Sequence, residues 1–140
     1  MNLKIKDVMV EAVISAKADD SIEHVRQLMA RHQIHAVPIA DEEGAAIGIV
    51  TSADLVADVK SDARVAEIMT ERVYTVPAYN DVHIAARVMR NHNVHHVVVT
   101  HEKRITGIVS SFDLLKLVEE HRFVMKDAPG RAKKSGKKRT

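Results

Sequence analysis

Residues 48–55 carry the sequence GIVTSADL, and residues 107–114 carry the closely similar GIVSSFDL. In both segments a glycine and two β-branched residues lead to a hydroxyl residue, and an aspartate follows three positions later. β-Branched runs are typical of buried strands, and a hydroxyl residue followed by an acid is typical of a helix start. Each segment therefore predicts a strand that passes directly into a helix.

The rest of the chain repeats around these segments at an offset of roughly 60 residues. Ile68 and Met69 align with Val8 and Met9, residues 78–82 align with 18–22, and residues 92–95 align with 32–35. Matches that keep the same order along the chain indicate a duplication. Because a repeat of roughly 55 residues buries a sheet face poorly by itself, we expect two repeats packed against each other with a pseudo-two-fold axis.

Each repeat predicts the order strand, helix, strand, strand, helix. In the first repeat, apolar spacing from Ile22 to Met29 predicts a helix capped by Asp20 or Ser21, with Glu23 completing a capping box. Ser52 is expected to cap the second helix, which would run to about residue 59. The remaining expectations are strands at 12–16, 36–40, 47–51, 73–76, 96–100 and 104–109, a turn at 41–44, a linker at 60–64, and helices at 81–93 and 111–122.

Composition narrows the classes of function. The chain has no cysteine, which excludes disulfides, thiolate nucleophiles and cysteine-ligated metals. No apolar run approaches the ~20 residues that cross a bilayer, and residues 1–7 do not resemble a signal peptide, so we expect a cytoplasmic protein without a membrane contact. The sequence contains neither a glycine-rich phosphate loop nor a nucleophile elbow, and we expect no enzymatic activity.

Residues 126–140 form a strongly basic end to the chain. They contain seven lysines or arginines against one acid, and no large apolar residue. Such a segment cannot bury enough surface to offset its ordering entropy, so we expect it to be disordered. It either keeps the protein soluble or contacts nucleic acid weakly. We accordingly divide the chain into repeats at 1–62 and 63–125 and a tail at 126–140.

The two glycine-to-aspartate segments allow two interpretations. The first amides of a helix attract anions, a hydroxyl at the strand end can bond a ribose or phosphate oxygen, and an aspartate can accept both hydroxyls of a ribose. Alternatively, Ser52 with Asp54, and Ser111 with Asp113, only cap and charge the two helix starts. The capping rule does not require the same spacing twice, so the duplication favours ligand binding.

The double repeat resembles a tandem pair of CBS domains, often called a Bateman module. The resemblance covers residues 6–122 and rests on residues 7–9 (DVM), 67–70 (EIMT), 34–39 (IHAVPI), 94–99 (VHHVVV) and the two glycine-to-aspartate segments. It implies an α+β sandwich of two βαββα repeats packed through their sheets, with up to two ligand clefts. It also implies a regulatory module for an unidentified client protein, and a homodimer formed through helices such as 111–122.

The ligands implied by this resemblance are AMP, ADP, ATP or S-adenosylmethionine, with no obligatory cofactor. In one cleft the resemblance places Asp113 and Ser110 at the ribose, His95 and His96 at the phosphate, and Ile14 and Ile34 at the adenine. In the other cleft it places Asp54 and Thr51 at the ribose, His35 at the phosphate, and Tyr74 and Val94 at the adenine. Because repeat one has Ala36 where repeat two has His96, we expect stronger nucleotide binding in the cleft of Asp113.

The histidines that cluster in the second repeat raise the alternative of a metal site. His95 and His96 are neighbours on a predicted strand and point to opposite faces, so we expect no metal. Because histidine titrates near neutral pH, phosphate binding should strengthen as the pH falls through about 6.5. Two competing functions remain open, a ligand-free structural module and a nucleic-acid binder that acts through its tail.

Overall fold

The computed structural model describes residues 3–56 and 60–120, which form the expected mixed α+β fold. The basic tail at 126–140 and the expected helix end near residue 59 lie outside the described residues. The strands are β1 (Ala36–Ala40), β2 (Ala46–Thr51), β3 (Thr75–Pro77), β4 (His96–His101) and β5 (Arg104–Ser110). The helices are α1 (Ile22–His32), α2 (Val82–His92) and α3 (Ser111–Glu119), and one-turn 3-10 helices span Ile5–Asp7, Ser52–Leu55 and Val65–Glu67.

Local sequence sets both ends of α1. Ser21 is its N-cap, and the Ser21 hydroxyl accepts a hydrogen bond from the His24 amide at 3.0 Å. The expected capping box with Glu23 is wrong, because this carboxylate lies one position too early and instead accepts from the Gln27 side chain at 3.2 Å. The helix ends at Gln33, whose φ of 54° is left-handed, and Asn93 ends α2 in the same way.

Two small sheets carry the repeats. In the first sheet, β1 pairs antiparallel with β2. The turn between them closes as predicted, since Gly44 adopts a φ of 87° and the Asp41 carboxylate accepts from two turn amides. In the second sheet, the central strand β4 pairs parallel with β3 and antiparallel with β5.

The expected strand at residues 12–16 is wrong. Val10 bridges to Ile108 in the second sheet, whereas Ala16 bridges to Ile39 in the first. The chain between Val10 and Ala16 therefore passes from one sheet to the other. Each end makes a single bridge, and the residues between them do not form the continuous backbone pairing of a strand. The corresponding strand of the second repeat, β3, forms but begins at Thr75 rather than at residue 73.

Each repeat completes the core of the other. Ile5 lies at the start of the first repeat in sequence, yet it is buried with Val97 and Val109 in the core of the second. Val65 is correspondingly buried with Val37 in the core of the first. The division of the chain at residue 62 stays a prediction, and in space the first residues of each repeat pack on the other repeat.

Gly48 and Gly107, which begin the two duplicated segments, allow the start of each repeat to pack closely on the other repeat. A Cβ atom on Gly107 would lie 2.5 Å from the Met9 sulfur, and one on Gly48 would lie 2.5 Å from the Met69 sulfur. Contacts that close do not occur between real Cβ atoms and their neighbours. Gly107 therefore leaves room for Met9, and Gly48 leaves room for Met69, each methionine coming from the start of the other repeat.

The repeats pack against each other through their sheets, as expected. Val37 and Ile39 face the first core, and Val97 and Val99 face the second. Because strand residues alternate between faces, Pro38 and Val98 point away from these cores, yet both are fully buried. The seam between the two sheets runs past them and opens into two clefts.

Candidate functional site

The first cleft lies at the seam beside the start of α3 and has a volume of about 550 Å³. We call it the Asp113 cleft. Both repeats line it, with Ile14 and Ile34 from the first and His96, Ser110 and Asp113 from the second. These residues are five of the six that the sequence assigned to this site. A ligand of nucleoside size bound there would contact both repeats at once.

The start of α3 holds the Asp113 carboxylate in place. The Ser110 amide donates to Asp113 Oδ2 at 2.9 Å, and the Asp113 amide donates to the Ser110 hydroxyl at 3.1 Å. The N-cap is thus Ser110 rather than Ser111. The cap occupies Oδ2 and uses the Ser110 hydroxyl as an acceptor, so Oδ1 and the hydroxyl proton can still bond a ligand. Capping and ligand binding are therefore compatible.

Asp113 Oδ1 has one cationic neighbour. Lys116 Nζ lies 3.9 Å from this oxygen, and the lysine side chain is 57% exposed while that of Asp113 is 13% exposed. An ion pair of that length on an exposed lysine is weak. Lys116 is also absent from the described residues that line the cleft. The carboxylate therefore keeps its capacity to accept from a sugar diol.

The second cleft lies at the pseudo-equivalent position and has a volume of about 460 Å³. We call it the Thr51 cleft. The Thr51 amide donates to Asp54 Oδ2 at 2.8 Å, and the Thr51 hydroxyl donates to the same oxygen at 3.2 Å. Among the described residues, Asp54 does not line this cleft. The hydroxyl proton that is available in Ser110 is here already bonded to a carboxylate.

The helix start beside Thr51 also differs from the expectation. Thr51 rather than Ser52 occupies the N-cap, and a single 3-10 turn, Ser52–Leu55, takes the place of the first turn of a longer helix. The Ser52 amide donates to the His35 carbonyl at 2.9 Å, and its hydroxyl lies 3.1 Å from His35 Nδ1. Ser52 therefore ties the hairpin of repeat one to the segment that follows α1.

The structure redistributes some of the predicted site residues between the two clefts. The Thr51 cleft contains His35, Tyr74 and Val94 as expected. His95, which the sequence assigned to the Asp113 cleft, lies in the Thr51 cleft. The Tyr74 ring is held there by a stack against His92, with ring centroids 4.1 Å apart. The ligand-binding roles of all these residues stay predictions.

Among the lining residues that the sequence did not assign to a cleft, Arg72 and Phe112 add a charge and an aromatic ring. Arg72 lines the Thr51 cleft, and Phe112 lines the Asp113 cleft. The offset of 60 residues places Arg72 opposite Ala12, which lines the other cleft. Comparing the two repeats position by position would have shown this difference in charge.

His35 and His96 sit between the clefts and line both of them. Burial lowers the pKa of His96 below its ordinary value, the neighbouring His95 and His35 act in the same direction, and Asp113 opposes them. His96 is therefore neutral at neutral pH. Across residues 3–56 and 60–120, no group of three or more histidines or carboxylates is arranged to hold a metal ion.

The sequence matches the CBS domain family at residues 5–61 and again at 65–120. It is 30% identical over 125 residues to inosine-5'-monophosphate dehydrogenase of Mycobacterium tuberculosis (strain ATCC 25618 / H37Rv). It is 33% identical over 115 residues to L-aspartate semialdehyde sulfurtransferase of Methanocaldococcus jannaschii. These alignments cover 88% and 81% of the chain, but only 23% of either relative.

Solved structures share the fold of this chain, in one case over nearly their whole length. A CBS domain pair in complex with 5'-methylthioadenosine and S-adenosyl-L-methionine superposes with a TM-score of 0.81 at 31% identity, covering 86% of this chain and 99% of that one. The cytosolic domain of the Mg²⁺ channel MgtE in complex with ATP superposes with a TM-score of 0.73 at 26% identity, covering 81% and 48%. No helix in the described part of this chain is long and apolar enough to span a membrane.

Proposed function

Because this chain belongs to the CBS domain family and carries two of its repeats, we propose that it is a regulatory module that binds an adenosine compound between them. The candidates are AMP, ADP, ATP and S-adenosylmethionine. The proposal rests above all on the Asp113 cleft, where a fixed carboxylate and a hydroxyl border a cavity lined by both repeats. The related pairs solved with adenosine ligands support it.

The chemistry of the Asp113 cleft suits a nucleoside. Asp113 Oδ1 accepts from the ribose hydroxyls, and the Ser110 hydroxyl donates to a ribose oxygen. Ile14 and Ile34 supply apolar surface for the adenine ring. The proposed module binds its ligand without transforming it, and the enzymes among its relatives extend far beyond the length that this chain covers.

Regulation follows from where the ligand sits. A compound that contacts both repeats stabilises the relative packing of the repeats that best fits it, and so shifts the population of conformations available to a client protein in the cytoplasm. The exposed face of α3 presents Phe112, Leu115 and Val118, whose spacing of three residues gives an apolar stripe. We assign this stripe to a homodimer contact.

Thermal denaturation of the full chain with adenosine, AMP, ADP, ATP and S-adenosylmethionine tests the proposal. A ligand present at a hundred times its Kd stabilises the folded state by about 2.7 kcal/mol, which raises the Tm by several degrees. Asp113→Ala should abolish the shift from adenosine, while Asp62→Ala, which removes an exposed carboxylate outside both clefts, should preserve it. The absence of a shift with every compound would leave a ligand-free structural module.

A further inference from the structure

The two clefts differ in the sign of their charge. Of the described residues that line the Asp113 cleft, Asp113 alone carries a full charge at neutral pH. Of those that line the Thr51 cleft, Arg72 alone does so. Two sites that are related by duplication therefore present opposite charges to a ligand.

Histidine does not reverse this difference. His35 and His96 line both clefts, so neither separates one cleft from the other. Burial lowers the pKa of His96, which leaves the ring uncharged at neutral pH. The remaining lining histidine, His95, lies on the side of the Thr51 cleft alone. Of the two histidines that the sequence placed at a phosphate in the Asp113 cleft, only His96 lines it, as a neutral ring, and its role there stays a prediction.

Arg72 is available to an anion. It is exposed, and within residues 3–56 and 60–120 no carboxylate forms an ion pair with it. Asp54, the carboxylate of the first glycine-to-aspartate segment, is bonded to Thr51 through Oδ2 and does not line the cleft in the described structure. A guanidinium in this position can donate two parallel hydrogen bonds to phosphate oxygens.

We infer that the two clefts take adenosine compounds of different charge, a phosphorylated one at the Thr51 cleft and one without phosphate at the Asp113 cleft. This inference rests on the proposed function and assigns a ligand class to each of its two sites. A phosphate at the Thr51 cleft would meet Arg72, whereas the described residues that line the Asp113 cleft include no lysine or arginine to balance a phosphate. Ala12 occupies the position that corresponds to Arg72, so the Asp113 cleft has no equivalent cation there.

Isothermal titration of the full chain with ATP and with adenosine tests this assignment. We expect Arg72→Ala to weaken ATP binding at least tenfold and to change adenosine binding less than twofold. Arg72→Lys should recover part of the loss, because a lysine keeps the charge but not the paired geometry. Arg87→Ala is the matched control, since it removes the same charge from an exposed position of α2 that lines neither cleft.

A second titration assigns the other cleft. With ATP at saturation, adenosine should still bind, and Asp113→Asn should weaken that binding tenfold or more while ATP binding stays within twofold. Unchanged ATP affinity in Arg72→Ala, or a larger loss of ATP than of adenosine affinity in Asp113→Asn, would overturn the inference but leave adenosine binding intact. If the unmodified chain binds neither compound, the proposed function itself fails.

Discussion

Gly107→Ala should destabilise the protein, because one methyl group would collide with Met9 and Val10, which pack on the second repeat from the start of the first. The new Cβ would lie 2.5 Å from the Met9 sulfur, 3.0 Å from its Cγ and 3.2 Å from the Val10 carbonyl oxygen. That carbonyl accepts from the Ile108 amide at 3.0 Å, and the Val10 amide donates to the Ile108 carbonyl at 2.9 Å. Relief of the clash must therefore move backbone as well as the thioether.

The expected cost is about 2 kcal/mol, in the middle of the range for overpacking of a core. For a chain of this length that corresponds to a decrease in Tm of roughly 6 °C. Gly48→Ala is the internal comparison, because the three atoms nearest its new Cβ are all side-chain atoms of Met69, at 2.5, 2.9 and 3.3 Å. A thioether can rotate away, so this substitution should cost less, about 1 kcal/mol.

Urea denaturation of both variants measures the two costs, and the double variant Met9→Ala with Gly107→Ala isolates the contact. The double variant should be less destabilised than the sum of its two single variants, since removing the thioether removes the clash. Equal stability of Gly107→Ala and the unmodified chain, or a larger loss of stability in Gly48→Ala than in Gly107→Ala, would show that these glycines are not needed to make room for Met9 and Met69.

Three further predictions follow from the same structure. Because burial lowers the pKa of His96, this histidine is protonated at a higher pH in the unfolded chain than in the folded one, so the free energy of unfolding should fall as the pH drops below about 6.5. Urea titrations should show a smaller fall in His96→Gln, and an equal fall in the variant and the unmodified chain would contradict this prediction. Ser110→Ala should cost about 1 kcal/mol of helix capping and also weaken adenosine binding in calorimetry, whereas Ser111→Ala, which leaves the N-cap intact, should do less. Leu115→Glu should convert the proposed dimer to a monomer in sedimentation velocity, and a monomeric unmodified chain at micromolar concentration would remove the dimer proposal.

The sequence predicted features that depend on neighbours along the chain. These features are the cap at Ser21, the turn at Asp41 and Gly44, and the duplicated strand-to-helix segments. They form because their hydrogen bonds close within a few residues. The strand expected at residues 12–16 failed because its partner depends on which sheet the chain has reached, and this is a tertiary property.

The candidate site could be predicted in outline but not in its partition between clefts. Spacing identified Ser110 and Asp113, since the capping geometry that fixes them is local. The position of His95 and the contribution of Arg72 depend on how the two sheets meet, which no local pattern encodes. The packing of Ile5 and Val65 adds a further reason, because residues at the start of one repeat are buried in the core of the other.

A crystal structure of the full chain grown with saturating adenosine tests the central claim most directly. The account predicts a nucleoside at the seam, touching both repeats, with its ribose hydroxyls about 3 Å from the Asp113 carboxylate. Clefts that stay empty under these conditions, or adenosine bound to one repeat alone and away from Asp113, would contradict it.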